Sequence, residues 1–224
     1  MPGKKVILTF DDACKSHLHT VVPILKHYGF GATFFISIPP RWYQEFPEEF
    51  LSGEEIAQIY RHGFEIGNHT MNHPGLQEKS DDQCREELSL LNNFLHQYGI
   101  PQPVSFAYPG GPYAANAAAI LPEFSLRFAR TTEHALWELD KTDPLRIPCF
   151  AITDKDADYF DRAMKLLENS GENSAAVILY HGVPDTAHPW CSTSFELFEE
   201  QMKFLRDGEY SVMSMAQFGR SNNL

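Results

Sequence analysis

The chain has no apolar run approaching the roughly 20 residues that a helix needs to cross a bilayer. No secretory leader is expected in this stretch, since Lys4-Lys5 is followed only by the short run Val6-Ile7-Leu8 before polar residues return. The expected location is the cytoplasm, with no membrane partner. Basic charge is scarce, at 18 lysines and arginines against 30 acidic residues, a formal net charge of -12. No lysine- or arginine-rich run offsets this, which argues against a nucleic-acid partner, because phosphate binding needs a concentrated basic surface. Cysteine is sparse as well. Cys14, Cys84, Cys149 and Cys191 are scattered without a CxxC pair, so free thiols are expected rather than a disulfide framework or a thiolate zinc site. No repeat, low-complexity segment or linker-like stretch divides the 224 residues. That length suits one well-buried core, so a single domain over 1–224 is expected.

What does recur is a short apolar run followed by an amphipathic one. Strands are expected at 5–10, 32–37, 64–67, 104–108, 126–130, 146–152, 175–180 and 210–214. Helices are expected at 18–28, closed by Gly29, and from capping boxes at Ser52-Gly53-Glu54-Glu55 and Ser80-Asp81-Asp82-Gln83. Further helices fall at 114–121, 156–169 and 193–206. Strands alternating with helices imply parallel pairing, and hence an α/β fold built as a (β/α) barrel of about seven strands. An open doubly wound sheet is the alternative. In both, functional residues belong at the C-terminal ends of strands.

Four segments answer to that rule. Thr9-Phe10-Asp11-Asp12 ends the first strand, and two adjacent carboxylates there repel each other unless a cation neutralises one. His69-Thr70-Met71-Asn72-His73 follows the third strand, with two imidazoles at a spacing that shares one face of a helical turn. Ten histidines supply roughly 0.4 such pairs by chance, so the placement carries more weight than the spacing. Tyr108-Pro109-Gly110-Gly111-Pro112-Tyr113 is a strand-end loop able to aim backbone N–H groups at an oxyanion. Leu179-Tyr180-His181 is a further strand end. One aspartate and two histidines would leave a metal ion an open position, with a spare aspartate and histidine as base and acid.

In this order the motifs resemble the NodB-homology polysaccharide deacetylases of carbohydrate esterase family four. Ala32-Thr33-Phe34-Phe35 and the Gly67-Asn68 lead into His69 are similar to that family too, and the likeness spans about residues 6–215. The resemblance implies a distorted or incomplete (β/α) barrel. It implies Asp12, His69 and His73 as ligands of a divalent metal, zinc by default with cobalt or nickel as alternatives. Asp11 would be the general base and His181 the general acid. Leu179 would line the acyl pocket, with Tyr108, Gly110, Gly111 and Tyr113 on the substrate side. The implied substrate is an acetylated carbohydrate; a small non-sugar amide or imide is the alternative, and a catalytically inactive carbohydrate-binding relative is a third reading. The oligomeric state is not specified.

Three positions depart from the family pattern. Ala13 stands where glycine is usual, Tyr108 where an arginine usually pairs with the catalytic aspartate, and no Asp-Trp motif is found, although Trp137-Glu138 and Asp140 lie nearby. Arg146 is the candidate replacement for the arginine. His17 and His19 are candidates for the pocket rim or an exposed helix start, and Cys14 is expected to be an inert thiol. Trp42, Tyr43 and His188-Pro189-Trp190 are candidates to stack on a sugar ring.

Overall fold

The apolar run expected at 5–10 becomes the centre of the molecule, whose computed structural model describes residues 3–222. In chain order the elements are β1 (Lys5–Asp11), a wide helical turn (His17–Val21) running into α1 (Val22–Tyr28), β2 (Thr33–Ile36), α2 (Pro40–Glu45), α3 (Gly53–Arg61), β3 (Glu65–Asn68) and α4 (Asp81–Gln97). Then come β4 (Ser105–Ala107), α5 (Ala115–Ile120), β5 (Phe128–Arg130), β6 (Trp137–Glu138), β7 (Phe150–Ala151) and α6 (Asp158–Glu168). The chain finishes with β8 (Ser174–Tyr180), α7 (Phe195–Asp207), β9 (Ser211–Met213) and α8 (Met215–Ser221).

The strands run β5-β4-β3-β2-β1-β8, each parallel to its neighbour. On its other edge β8 pairs with β7 near its C-terminal end and, antiparallel, with β6 near its start. Ile147 forms a single parallel bridge to Arg130, which links β5 toward β7 and curls seven strands almost into a ring. This is a distorted (β/α) barrel, and not an open doubly wound sheet. The weak seam has a local cause. The strand expected over 146–152 pairs only at Ile147 and over β7, because Pro148 between them has no N–H to donate to a ladder. The strand expected at 210–214 lies outside the ring, pairing as β9 with the first half of β1. No helix among the described residues is long and apolar enough to cross a membrane.

Period-two alternation sorts the strand side chains between the helix-facing layers and the barrel interior. Val6, Leu8 and Phe10 of β1, Phe34 and Ile36 of β2, and Ile178 and Tyr180 of β8 face the helices. Ile7, Phe35, Ala107, Phe128, Val177 and Leu179 fill the barrel interior. On the helix side Phe10 stacks between Phe34 and Tyr180 at centroid distances of 4.9 and 5.5 Å. Burying rings of that size stabilises by about 1.5–3 kcal/mol each, which holds β1 rigidly under the site.

Candidate metal and catalytic site

The alternation that sends Ile7 inward also sends Asp11 inward, and it carries the inward series of β8 through Val177 and Leu179 to His181. In β3 Gly67 faces the interior and His69, two residues on, follows it; in β5 Phe128 is inward and so is Arg130. Four functional side chains, Asp11, His69, Arg130 and His181, are thereby delivered to one barrel mouth by strand register. Gly67 is required there: a Cβ would lie 2.4 Å from the Phe35 ring.

His69 Nε2 and His73 Nε2 each lie 3.6 Å from Asp12 Oδ1. One donor atom from each of the three residues falls within a 4.8 Å cluster, a set that can hold one metal ion. His69 Nδ1 lies 2.7 Å from the Ala107 carbonyl, which can only accept; the proton is therefore on Nδ1 and the Nε2 lone pair faces the cluster. Burial lowers His69 to about 4 and His73 to about 3, so both imidazoles are neutral at physiological pH, as ligands must be. Burial and the neighbouring Asp11 and Asp185 charges push Asp12 well above the usual carboxylate range, and its Oδ1 is a buried atom without a hydrogen-bond partner. A divalent cation at this position would answer both the unpartnered oxygen and the carboxylate repulsion, so the residues present fit one.

Residues 69–73 do not form the expected helical turn. Thr70 and His73 both take left-handed backbone angles, at φ 64° and 52°. The segment is instead pinned from outside: Ser37 Oγ donates to the carbonyls of His69 and Thr70, Asn68 Oδ1 accepts from the Thr70 N–H, and Glu87 accepts from the backbone and side-chain nitrogens of Asn72.

Asp11 is buried and ion-paired with the equally buried Arg130. Burial alone would raise its pKa, but Arg130, His69 and His181 outweigh it and hold Asp11 below the usual range. Arg146 does not fill this role, contrary to expectation. It lies on the surface, binds Glu133 at 2.5 Å and covers the Tyr113 ring. Arg130 belongs to none of the four motif segments, although it too ends an expected strand. His181 Nε2 lies 3.7 Å from Asp12 Oδ2. Burial lowers its pKa, Arg130 adds to that, and Asp11 and Asp185 oppose it.

A cavity of about 320 Å³ opens over these groups, lined also by Gly110, Gly111, Thr132, Ala151 and Leu179. Tyr108 and Tyr113 are not part of its lining. Tyr108 is buried with its hydroxyl donating to the Leu145 carbonyl, and Tyr113 packs edge-on against it. The Gly111 N–H closes a turn onto the Tyr108 carbonyl at 2.9 Å, which leaves the Gly110 N–H as that loop's candidate oxyanion donor. Trp137 is buried at the opposite end of β8 against Phe218, so the 137–140 segment supplies nothing to the mouth.

His17 is neither on the rim nor exposed; it is fully buried, with Nε2 3.0 Å from the His181 carbonyl, while His19 is exposed beside Glu55. The Cys14 thiol donates to Asp185 at 3.3 Å, and burial keeps it protonated. Trp42, His188, Trp190 and Cys191 line the cavity, whereas the Tyr43 hydroxyl is turned to the Leu51 carbonyl. Asp185 was also missed, since its place in a loop after β8 gives no periodic signal.

The fold and site together define a (β/α)-barrel protein with an aspartate–imidazole centre at the C-terminal mouth. Residues 1–129 match the polysaccharide deacetylase family, and the chain belongs to it. It is 29% identical to a putative polysaccharide deacetylase, YxkH, of Bacillus subtilis over 59% of this chain and 46% of that protein. It is likewise 29% identical to a peptidoglycan-N-acetylglucosamine deacetylase of Bacillus cereus over 48% of this chain and 47% of that one. The chain therefore spans less than half the length of these two relatives. Its fold is shared by a CE4 family pseudoenzyme of Bacillus anthracis, with a TM-score of 0.65, 21% identity, and coverage of 97% of this chain and 66% of that one.

Proposed function

We propose that the chain is a metal-dependent hydrolase that removes an N-acetyl group from a carbohydrate, acting as one domain over residues 1–224. The observation that supports this best is the Asp12, His69 and His73 cluster lying beside an aspartate held ionised by a buried arginine. Asp12, His69 and His73 would hold the ion, with zinc the first choice for this nitrogen and oxygen donor set and cobalt or nickel the alternatives. Bound there, a divalent ion supplies polarisation of an acyl carbonyl and acidification of a water. Asp11 accepts the proton of the attacking water, and Arg130 keeps that carboxylate charged and fixed in orientation. The Gly110 N–H faces the oxyanion that forms. His181 gives a proton to the departing amine, a poor leaving group without it. Leu179, at the cavity wall, closes on the acyl methyl.

Hydrolysis of a small non-sugar amide or imide would use the same metal-binding, base and acid residues. Offering zinc-loaded protein acetylated oligosaccharides and small amides in parallel, and measuring acetate, amine and ring-opened product, separates the two. Acetate from the oligosaccharides alone is the expected result. Turnover of the amides alone would replace the carbohydrate reading, and sugar binding without turnover of anything would mark an inactive relative.

A further inference from the structure

The turn after β1 and the loop after β8 meet through three side chains that the chemistry just described does not use. His17 Nε2 lies 3.0 Å from the His181 carbonyl. Burial lowers the pKa of His17 to about 4, so at neutral pH its ring carries a single proton. A carbonyl can only accept, which puts that proton on Nε2 and makes His17 the donor. Ser16 Oγ accepts the Val183 N–H at 2.8 Å, and the Cys14 thiol donates to Asp185 at 3.3 Å. As the first segment advances from 14 to 17 the second retreats from 185 to 181, so the contacts form one antiparallel clasp. It joins the turn just past Asp11 and Asp12 to the loop that starts at His181.

Within the clasp His17 has the least local reason to be polar. It is fully buried at the start of the wide helical turn, its ring 5.6 Å from that of Phe10 and 5.4 Å from that of Phe34. Its other nitrogen, Nδ1, is buried without a partner. A phenylalanine would fill that apolar pocket without burying an unpaired nitrogen. What a phenyl ring could not do is hold the His181 carbonyl. Among the described residues no hydrogen bond reaches the His181 ring, which lies 3.7 Å from Asp12 Oδ2. The aim of that ring is therefore set through its backbone, and a misplacement of about 1 Å can cost on the order of 100-fold in rate.

Resting on the deacetylase reading, we propose that His17 is a positioning residue for proton transfer, holding the His181 backbone so that its imidazole meets the departing amine. His17 is not part of the cavity lining and acts only through His181. Ser16 steadies the same backbone two residues further on.

The test compares two acetyl substrates that differ in their need for an acid. An N-acetylated oligosaccharide expels an amine, which must be protonated, whereas 4-nitrophenyl acetate expels a phenolate that leaves unaided. Zinc-loaded His17→Phe should lose about 10–30-fold in kcat on the oligosaccharide, with KM within about twofold. Its ester turnover and zinc content should stay within about twofold of wild type. His17→Gln, which keeps an N–H donor, should recover oligosaccharide turnover to within about threefold of wild type. In nitrogen-resolved proton spectra of metal-free wild type, the His17 Nε2–H should appear as a slowly exchanging imidazole proton. Should His17→Phe fail to fold, Ser16→Ala, at the half-buried rung, should show the same selective loss at about three- to fivefold. Equal losses on both substrates, no loss on the oligosaccharide, or a proton found on Nδ1 instead would overturn the positioning role, while deacetylation by wild type left the functional reading standing. Wild-type protein that released no acetate from the oligosaccharide would remove that reading, and the positioning role with it.

Discussion

Arg130 reaches Asp11 from β5, while Tyr108 occupies the loop position where the family usually places its arginine. Both partners of the pair are buried, so losing one leaves an uncompensated charge. Arg130→Met should destabilise the fold by about 3–5 kcal/mol, read by urea unfolding, and reduce turnover with it. A loss under about 1 kcal/mol would mean that Asp11 is not charged in the native state. Ala13 poses a finer question. It holds φ 52° where the family has glycine, a conformation costing an alanine about 1–2 kcal/mol, yet its methyl is fully buried, worth about 0.8 kcal/mol. The difference, about 0.2–1.2 kcal/mol, favours glycine. Ala13→Gly should therefore shift stability by no more than about 1 kcal/mol and keep activity, which thermal unfolding and acetate release would check. Asp11, Asp12, His69, His73 and His181 were legible because each follows an apolar strand, and so was Arg130 by the same rule. Arg130 stands in no loop motif, so only its place at a strand end marks it.

At the scale of elements, the capping boxes at Ser52 and Ser80 are formed as their spacing predicts. The same signature at Ser214-Met215-Ala216-Gln217 opens α8, which the reading of 210–214 as a strand concealed. The strand pattern was legible because burial on both faces writes continuous apolar runs. The loops were not: α2 lies in a proline-flanked stretch without periodicity, and residues 69–73 owe their shape to hydrogen bonds from distant residues. Glu87 on α4 is one of these. Glu87→Ala should release Asn72 and loosen His73, lowering zinc affinity about tenfold in a competition titration, with global stability changed by less than about 1 kcal/mol. Unaltered zinc affinity would show that the loop holds its shape without α4.

For the whole molecule, strand register gathers Asp11, His69, Arg130 and His181 from separate parts of the chain, and the turns after β1 and β3 add Asp12 and His73. Its electrostatic cost is visible in the raised Asp12 and the unpartnered oxygens of Asp11 and Asp12. A bound cation should consequently act on stability. With zinc at about 100 times its dissociation constant, the gain is about 2.7 kcal/mol, or roughly 5–10 °C in Tm for a chain of this size. Chelation should reverse it, and a Tm indifferent to zinc and to chelator would argue against a site built for metal.

The most direct test of the account is acetate released per bound metal ion, measured on wild type, Asp12→Ala and Asp11→Asn prepared with zinc. The account predicts near-stoichiometric zinc and turnover for wild type, loss of both for Asp12→Ala, and retained zinc with turnover reduced by at least about 100-fold for Asp11→Asn. Full zinc occupancy in Asp12→Ala, or undiminished acetate per zinc in Asp11→Asn, would contradict the division of labour between the two aspartates.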